Sequence, residues 1–91
     1  MTYLRFEWDA AKSERLRAER GFGFEDIVAA VNAGHMIDDI PNPSSKYRGQ
    51  RVMVIAMFDY VILVPYVRDA DRAFLKTAFP SRKARKKYRG D

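Results

Sequence analysis

Two apolar, β-branched runs, Arg51–Phe58 and Tyr60–Val67, follow one another and join at Phe58-Asp59. Runs of this length and composition fit strands, and so short a junction admits only an antiparallel hairpin. The junction lacks the glycine such turns usually carry. Both runs are apolar at nearly every position, whereas a sheet with one wet face alternates polar and apolar residues. Both faces of the hairpin are therefore expected to be covered, one by helices, with another chain as a candidate cover for the other.

The flanking segments supply the helices. Tyr3 to Trp8 reads as a short extended lead-in. Asp9 is a plausible N-cap for a helix over Ala10–Arg20, and Gly21 stops it in the left-handed conformation that glycine takes cheaply. Trp8, Leu16 and alanines are the only apolar material of this helix, so it should lie on the surface and bury one edge. Phe24, Ile27, Val28 and Val31 follow the i, i+3, i+4, i+7 pattern of a second, amphipathic helix that Gly34 ends. A short apolar segment, His35–Ile40, precedes the turn chemistry of Pro41–Lys46. After the hairpin come a polar turn, Arg68–Arg72, a further strand over Ala73–Phe79, a break at Pro80, and a last short helix capped by Ser81.

The predicted fold class is α+β, a single domain over residues 1–91. Two N-terminal helices precede a four-stranded, mainly antiparallel sheet, and a short basic C-terminal helix ends the chain. Short loops between sequential strands favour a meander.

Charge is distributed unevenly. Residues 1–80 carry 11 Lys/Arg and 11 Asp/Glu, which cancel, while residues 81–91 carry 6 Lys/Arg and one Asp, which leaves the whole net charge of +5 in the tail. Such a segment attracts polyanions, RNA first among them; the other reading is a solvated tail. The chain has no cysteine, which excludes a disulfide framework, a thiol nucleophile and a cysteine zinc site. Its longest apolar run, Val52–Phe58, is far too short for a membrane span, and the N-terminus lacks a signal-peptide core. The expectation is a soluble cytoplasmic protein with no cofactor and no metal. The adjacent Asp38 and Asp39 would point to opposite faces of a strand and so could not converge on one ion. Asp69 and Asp71 are read as solvating a turn. Gly21-Phe22-Gly23 is too short for a phosphate loop.

A single histidine, His35, rules out a two-histidine acid–base pair within the chain, and a structural place at a helix end suits it. What remains is arginine, lysine and tyrosine. On the final helix Arg82, Arg85, Lys86 and Arg89 recur at i, i+3, i+4 and i+7 and share a face, with Ala84 and Tyr88 on another. Fixed cations suit phosphoryl chemistry, because negative charge builds on the phosphate oxygens as a ribose 2′-OH attacks. A tyrosine among cations would have its phenolate favoured, which makes Tyr88 a candidate proton-transfer group or, alternatively, an aromatic anchor for the helix. Arg51 opens the hairpin. Lys76 interrupts an apolar strand, either as an exposed edge residue or facing the same site as the helix.

Phe6-Glu7-Trp8-Asp9-Ala-Ala-Lys12, the Arg20-Gly21 stop, Phe24-Glu25-Asp26, the apolar hairpin and the closing Ser81-Arg82-Lys83-Ala84 with Tyr88 come in an order that resembles the BrnT-type toxins of bacterial type II toxin–antitoxin systems. The resemblance spans Phe6 to Tyr88. It implies a RelE-like fold of a sheet flanked by helices, a ribonuclease activity that blocks translation, and a cognate antitoxin that binds DNA. By matching position Trp8, Asp9 and Lys12 belong to the opening motif, Arg82 to the arginine that enters the final helix, and Arg51 more loosely to an arginine at a strand start. Gly23 stands where many members carry a helix-capping serine.

The resulting expectation is a metal-independent endoribonuclease. Arg82 would stabilise the transition state with Arg51 and Lys76 as helpers, Tyr88 would transfer a proton, and Lys12, Lys83, Arg85, Lys86 and Arg89 would hold the RNA backbone. Partners would be RNA, with or without the ribosome, and an antitoxin, in a heterocomplex or a homodimer, with no membrane. Two other readings use the same residues: a non-catalytic RNA- or ribosome-binding module, and an interaction protein whose apolar sheet face is the working surface.

Overall fold

A computed structural model describes residues 5–42 and 49–90. The predicted turn over Pro41–Lys46 lies outside the described residues from position 43 on, as do Tyr3 and Leu4 of the lead-in and Asp91 of the tail. The elements are β1 (Arg5–Glu7), α1 (Ala10–Arg20), α2 (Phe24–Asn32), β2 (Met36–Pro41), β3 (Gln50–Met57), β4 (Tyr60–Asp69), β5 (Arg72–Leu75), β6 (Phe79–Pro80) and α3 (Arg82–Arg89). The class is α+β.

The helix ends follow from local chemistry. The Asp9 carboxylate accepts from Lys12 N at 3.1 Å, and Gly21, at φ 83°, closes α1 by donating to Arg17 O at 3.0 Å. Helix α2 has no capping side chain of its own, because its N-cap is Gly23. A neighbour supplies the missing oxygen: Ser13 Oγ, on α1 and buried, accepts from Phe24 N at 2.9 Å and donates to Glu25 at 2.8 Å. A Cβ on Gly23 would stand 2.7 Å from that hydroxyl, so only glycine leaves room for the arrangement. Arg17 completes the joint with bridges to Glu25 at 3.0 Å and Asp26 at 3.1 Å.

The sheet order is β1-β5-β4-β3-β2, with β6 also on β4. From β2 to β5 it is the expected antiparallel meander, and the hairpin register runs from Met57↔Tyr60 to Gln50↔Val67. Met53, Ile55, Ile62, Val64 and Tyr66 face Leu16, Phe24 and Ile27 of α1 and α2, while Val54 and Val61 face Ala84 and Tyr88 of α3. The hairpin is apolar on both faces because the chain's own helices cover both. Full burial of each such side chain contributes about 1.5–3 kcal/mol.

Two expectations about the sheet need correction. Among the described residues it has six strands, not four; it is mainly antiparallel, as expected, but β1 precedes the helices and pairs parallel with β5, Phe6 opposite Ala73. Three residues are too few to show a strand period, so only pairing against an edge defines β1. The strand expected over Ala73–Phe79 is also split into β5 and β6, which meet the same side of β4 in succession. Pro65 explains the gap. Its carbonyl accepts from Lys76 N at 2.9 Å, so its missing N–H would have faced the same way. With no donor there the ladder lapses at residues 76–78 and resumes at Phe79↔Leu63.

Candidate nucleic-acid groove

Three adjoining depressions wrap the turn end of the β3–β4 hairpin. The first, about 220 Å³, is lined by Lys12, Arg15, Glu19 and Arg20 of α1 with Thr77. Glu19 and Arg20 also line the second, about 310 Å³, beside Phe22, Phe58, Tyr60 and Pro80. Tyr60 and Pro80 continue into the third, about 440 Å³, with Ser81, Arg82 and Arg85. Shared walls make the three one groove. It carries five cations, Lys12, Arg15, Arg20, Arg82 and Arg85, against the carboxylate of Glu19. At its middle stand two exposed aromatics, Phe58 at 72% and Tyr60 at 53%. Cations that track a backbone, interleaved with aromatic faces, are the composition of single-stranded nucleic-acid sites.

The groove is assembled by tertiary structure. Ser81 N donates to Val61 O at 2.9 Å, and Ser81 Oγ accepts from Ala84 N at 3.1 Å, which starts α3 beside the hairpin turn. Packing of α1 through Leu16 brings its C-terminal half to the same end of the sheet. Arg15, Glu19, Arg20, Phe58 and Tyr60 were not among the residues singled out from sequence. The missing glycine at the hairpin turn was the signal available for Phe58.

The residues expected to act together are largely kept apart. Arg82 is exposed and lines the groove with half-buried Arg85. Lys83, Lys86 and Arg89 are exposed along α3, outside the groove lining. Lys12 reaches the far depression. Asp9 is a cap, and Trp8 packs on Phe24 with ring centroids 6.2 Å apart.

Arg51 is opposite Tyr66 in the ladder and so shares the α1–α2 face, while α3 lies on the other face. Five residues of β4 also separate Tyr66 from Val61 beside the start of α3, about 17 Å along the strand. Arg51 is instead engaged by Asp39, Nε to Oδ1 at 3.0 Å and Nη2 to the Asp39 carbonyl at 2.9 Å. Lys76 lies just past the end of β5, and its ammonium sits 5.5 Å from the ring centroid of Phe74, which pairs with Val67 on the sheet face that α3 covers. Arg51 does not converge on Arg82.

Tyr88 is also corrected. Its hydroxyl donates to Asp38 Oδ2 at 2.9 Å, which ties α3 across the sheet to β2. That hydrogen bond, then desolvation and the Asp38 charge, raises the phenol's pKa, the reverse of the shift expected from the neighbouring cations. The anchoring reading describes what Tyr88 does here. Asp38 and Asp39 do point to opposite faces, one toward Tyr88 and the other toward Arg51 and Tyr66.

Burial, followed by the bond to Asp39, pushes the Tyr66 phenol from 10.0 up to about 12. A folded pKa above the unfolded one holds a proton that the unfolded chain releases. The associated stability is complete below pH 10 and is lost as the pH rises toward 12. The raised pKa of Tyr88 acts in the same direction. Denaturant titrations should show stability falling across that window, by on the order of 2 kcal/mol from Tyr66, and Tyr66→Phe should remove most of the slope.

Fold and groove define a small α+β protein with a cationic, aromatic-edged surface at one end of its sheet. No family model matches the chain, and no curated protein matches it. Among the described residues no helix is long and apolar enough to cross a membrane.

Proposed function

We propose that this protein is a small RNA-directed toxin, an endoribonuclease that works without a metal on a strand laid along the groove. The observation that carries the proposal is the continuity of cations from Lys12 to Arg82 past the exposed rings of Phe58 and Tyr60. The likeness of the opening and closing motifs to BrnT-type toxins supports it, and the α+β architecture agrees with a RelE-like sheet flanked by helices. A cognate antitoxin belongs to the same proposal.

In the reaction the ribose 2′ oxygen attacks its own phosphorus and the bond to the 5′ oxygen breaks. A 2′,3′-cyclic phosphate and a free 5′-OH result. Arg82 neutralises the charge that grows on the phosphoryl oxygens. Tyr88 is committed to Asp38, so solvent takes the 2′ proton and returns one to the departing 5′ oxygen. Catalysis is then mainly electrostatic.

A second reading has a specific observation behind it. Arg51 is engaged by Asp39 and Tyr88 by Asp38, which leaves Arg82 without two of the expected helpers and favours a module that binds RNA or the ribosome without cutting. Incubation with RNA in EDTA, free and on translating ribosomes, separates the two. Cyclic-phosphate ends are the expected result. Intact RNA in both settings, bound with a steep salt dependence, would establish the module instead.

A further inference from the structure

The β3–β4 turn holds a large aromatic where the backbone favours glycine. Phe58 has φ 57°, a conformation that costs side chains with a Cβ, yet 72% of the residue is exposed, so core packing does not explain it. The two-residue turn sets that φ, as it does for Ala70 at φ 55° in the β4–β5 turn, and leaves the exposed ring free of the core. The ring stands over the middle depression with Tyr60 and Phe22, a cleft of about 310 Å³ that has room for a purine.

The charged groups of that cleft are Glu19 and Arg20, adjacent and both exposed. Among the described residues neither side chain has a hydrogen bond or ion pair, so both remain available to a ligand. An anion in the middle of a cationic groove weakens non-specific phosphate binding, and recognition of a base gives it a use. A carboxylate accepts two hydrogen bonds side by side, and guanine presents two such donors, N1–H and the N2 amino group. Guanine also offers adjacent acceptors, O6 and N7, to a guanidinium. Adenine and cytosine each place a ring acceptor beside their amino donor, which repels the carboxylate. Uracil has one donor flanked by two carbonyls.

We infer that this cleft is a base subsite for an unpaired guanine, stacked on Phe58 and Tyr60 and read by Glu19 and Arg20. The inference rests on the proposal that RNA lies along the groove, and it names the base that the groove selects.

The test is fluorescence anisotropy with 2′-O-methyl 9-mers, which cannot be cleaved, bearing G, A, C or U at the centre of a uridine background. The guanine 9-mer should bind about tenfold more tightly than the other three. Glu19→Gln should weaken the guanine 9-mer about tenfold, which brings all four within about twofold of one another. Phe58→Gly should weaken every 9-mer roughly tenfold through lost stacking, while the melting temperature holds or rises as the positive φ is relieved. Ala70→Gly gives the same backbone relief at the β4–β5 turn, φ 55°, and should leave affinity unchanged. Equal affinity for the four 9-mers, or a guanine preference that survives Glu19→Gln, overturns the subsite alone. Absence of binding to any 9-mer overturns both the subsite and the RNA reading beneath it.

Discussion

Arg82→Ala is expected to lower the rate of RNA cleavage by roughly 10²–10³-fold and to abolish growth inhibition, with the fold intact. The rate effect has that size because a fixed cation beside the phosphoryl group stabilises the charge of the transition state more than that of the bound substrate. The fold should survive because the side chain is exposed and α3 is held by other contacts. Ser81 caps the helix, Ala84 is buried on Val54 and Val61, and Tyr88 bonds to Asp38. One lost phosphate contact should also reduce the slope of log affinity against log salt by about one. Circular dichroism, a cleavage time course in EDTA and a salt titration together check these points. A folded Arg82→Ala protein that cuts at the wild-type rate removes Arg82 from the chemistry.

Asp39→Ala should be the most destabilising change in the polar framework, by roughly 2–4 kcal/mol in chemical denaturation. The carboxylate accepts from two groups at once, Arg51 Nε at 3.0 Å and the Tyr66 hydroxyl at 2.7 Å. Tyr66 is 1% exposed, so loss of its acceptor leaves a buried hydroxyl unsatisfied, which costs about 1–3 kcal/mol on its own. Arg51 loses its charged partner as well. Arg51→Ala is milder, about 1 kcal/mol, because its side chain is 33% exposed and that of Asp39 24%, and partly solvated pairs contribute little. Arg51→Ala should also leave cleavage per folded molecule unchanged. If it instead abolishes cleavage at wild-type stability, Arg51 acts in the reaction, and RNA binding must rearrange its partnership with Asp39.

These two arginines show where sequence reasoning reaches and where it stops. Both were expected at one site, since both are cations that suit phosphate. The ladder places Arg51 on the face covered by α1 and α2, while α3 takes the other face. Strand alternation reveals which residues share a face, and it correctly separated Asp38 from Asp39. It does not reveal which face a distant helix will cover. Likewise, tail charge and helical spacing pointed to Arg82 and Arg85. They carried no information that Arg15 and Arg20, some sixty to seventy residues earlier, would line the other end of the same groove beside Lys12, which only the opening motif had brought in.

The features that sequence alone determined are those whose causes act within a few residues. The Asp9 and Ser81 caps, the Gly21 stop, the amphipathic second helix and the two-residue hairpin all depend on local backbone sterics and short hydrogen bonds. Only the tertiary structure decided the rest: the parallel pairing of β1, the split of the last strand opposite Pro65, the reversed shift of Tyr88 by Asp38, and the groove itself. Each depends on groups far apart in the chain that meet only once both faces of the sheet are buried.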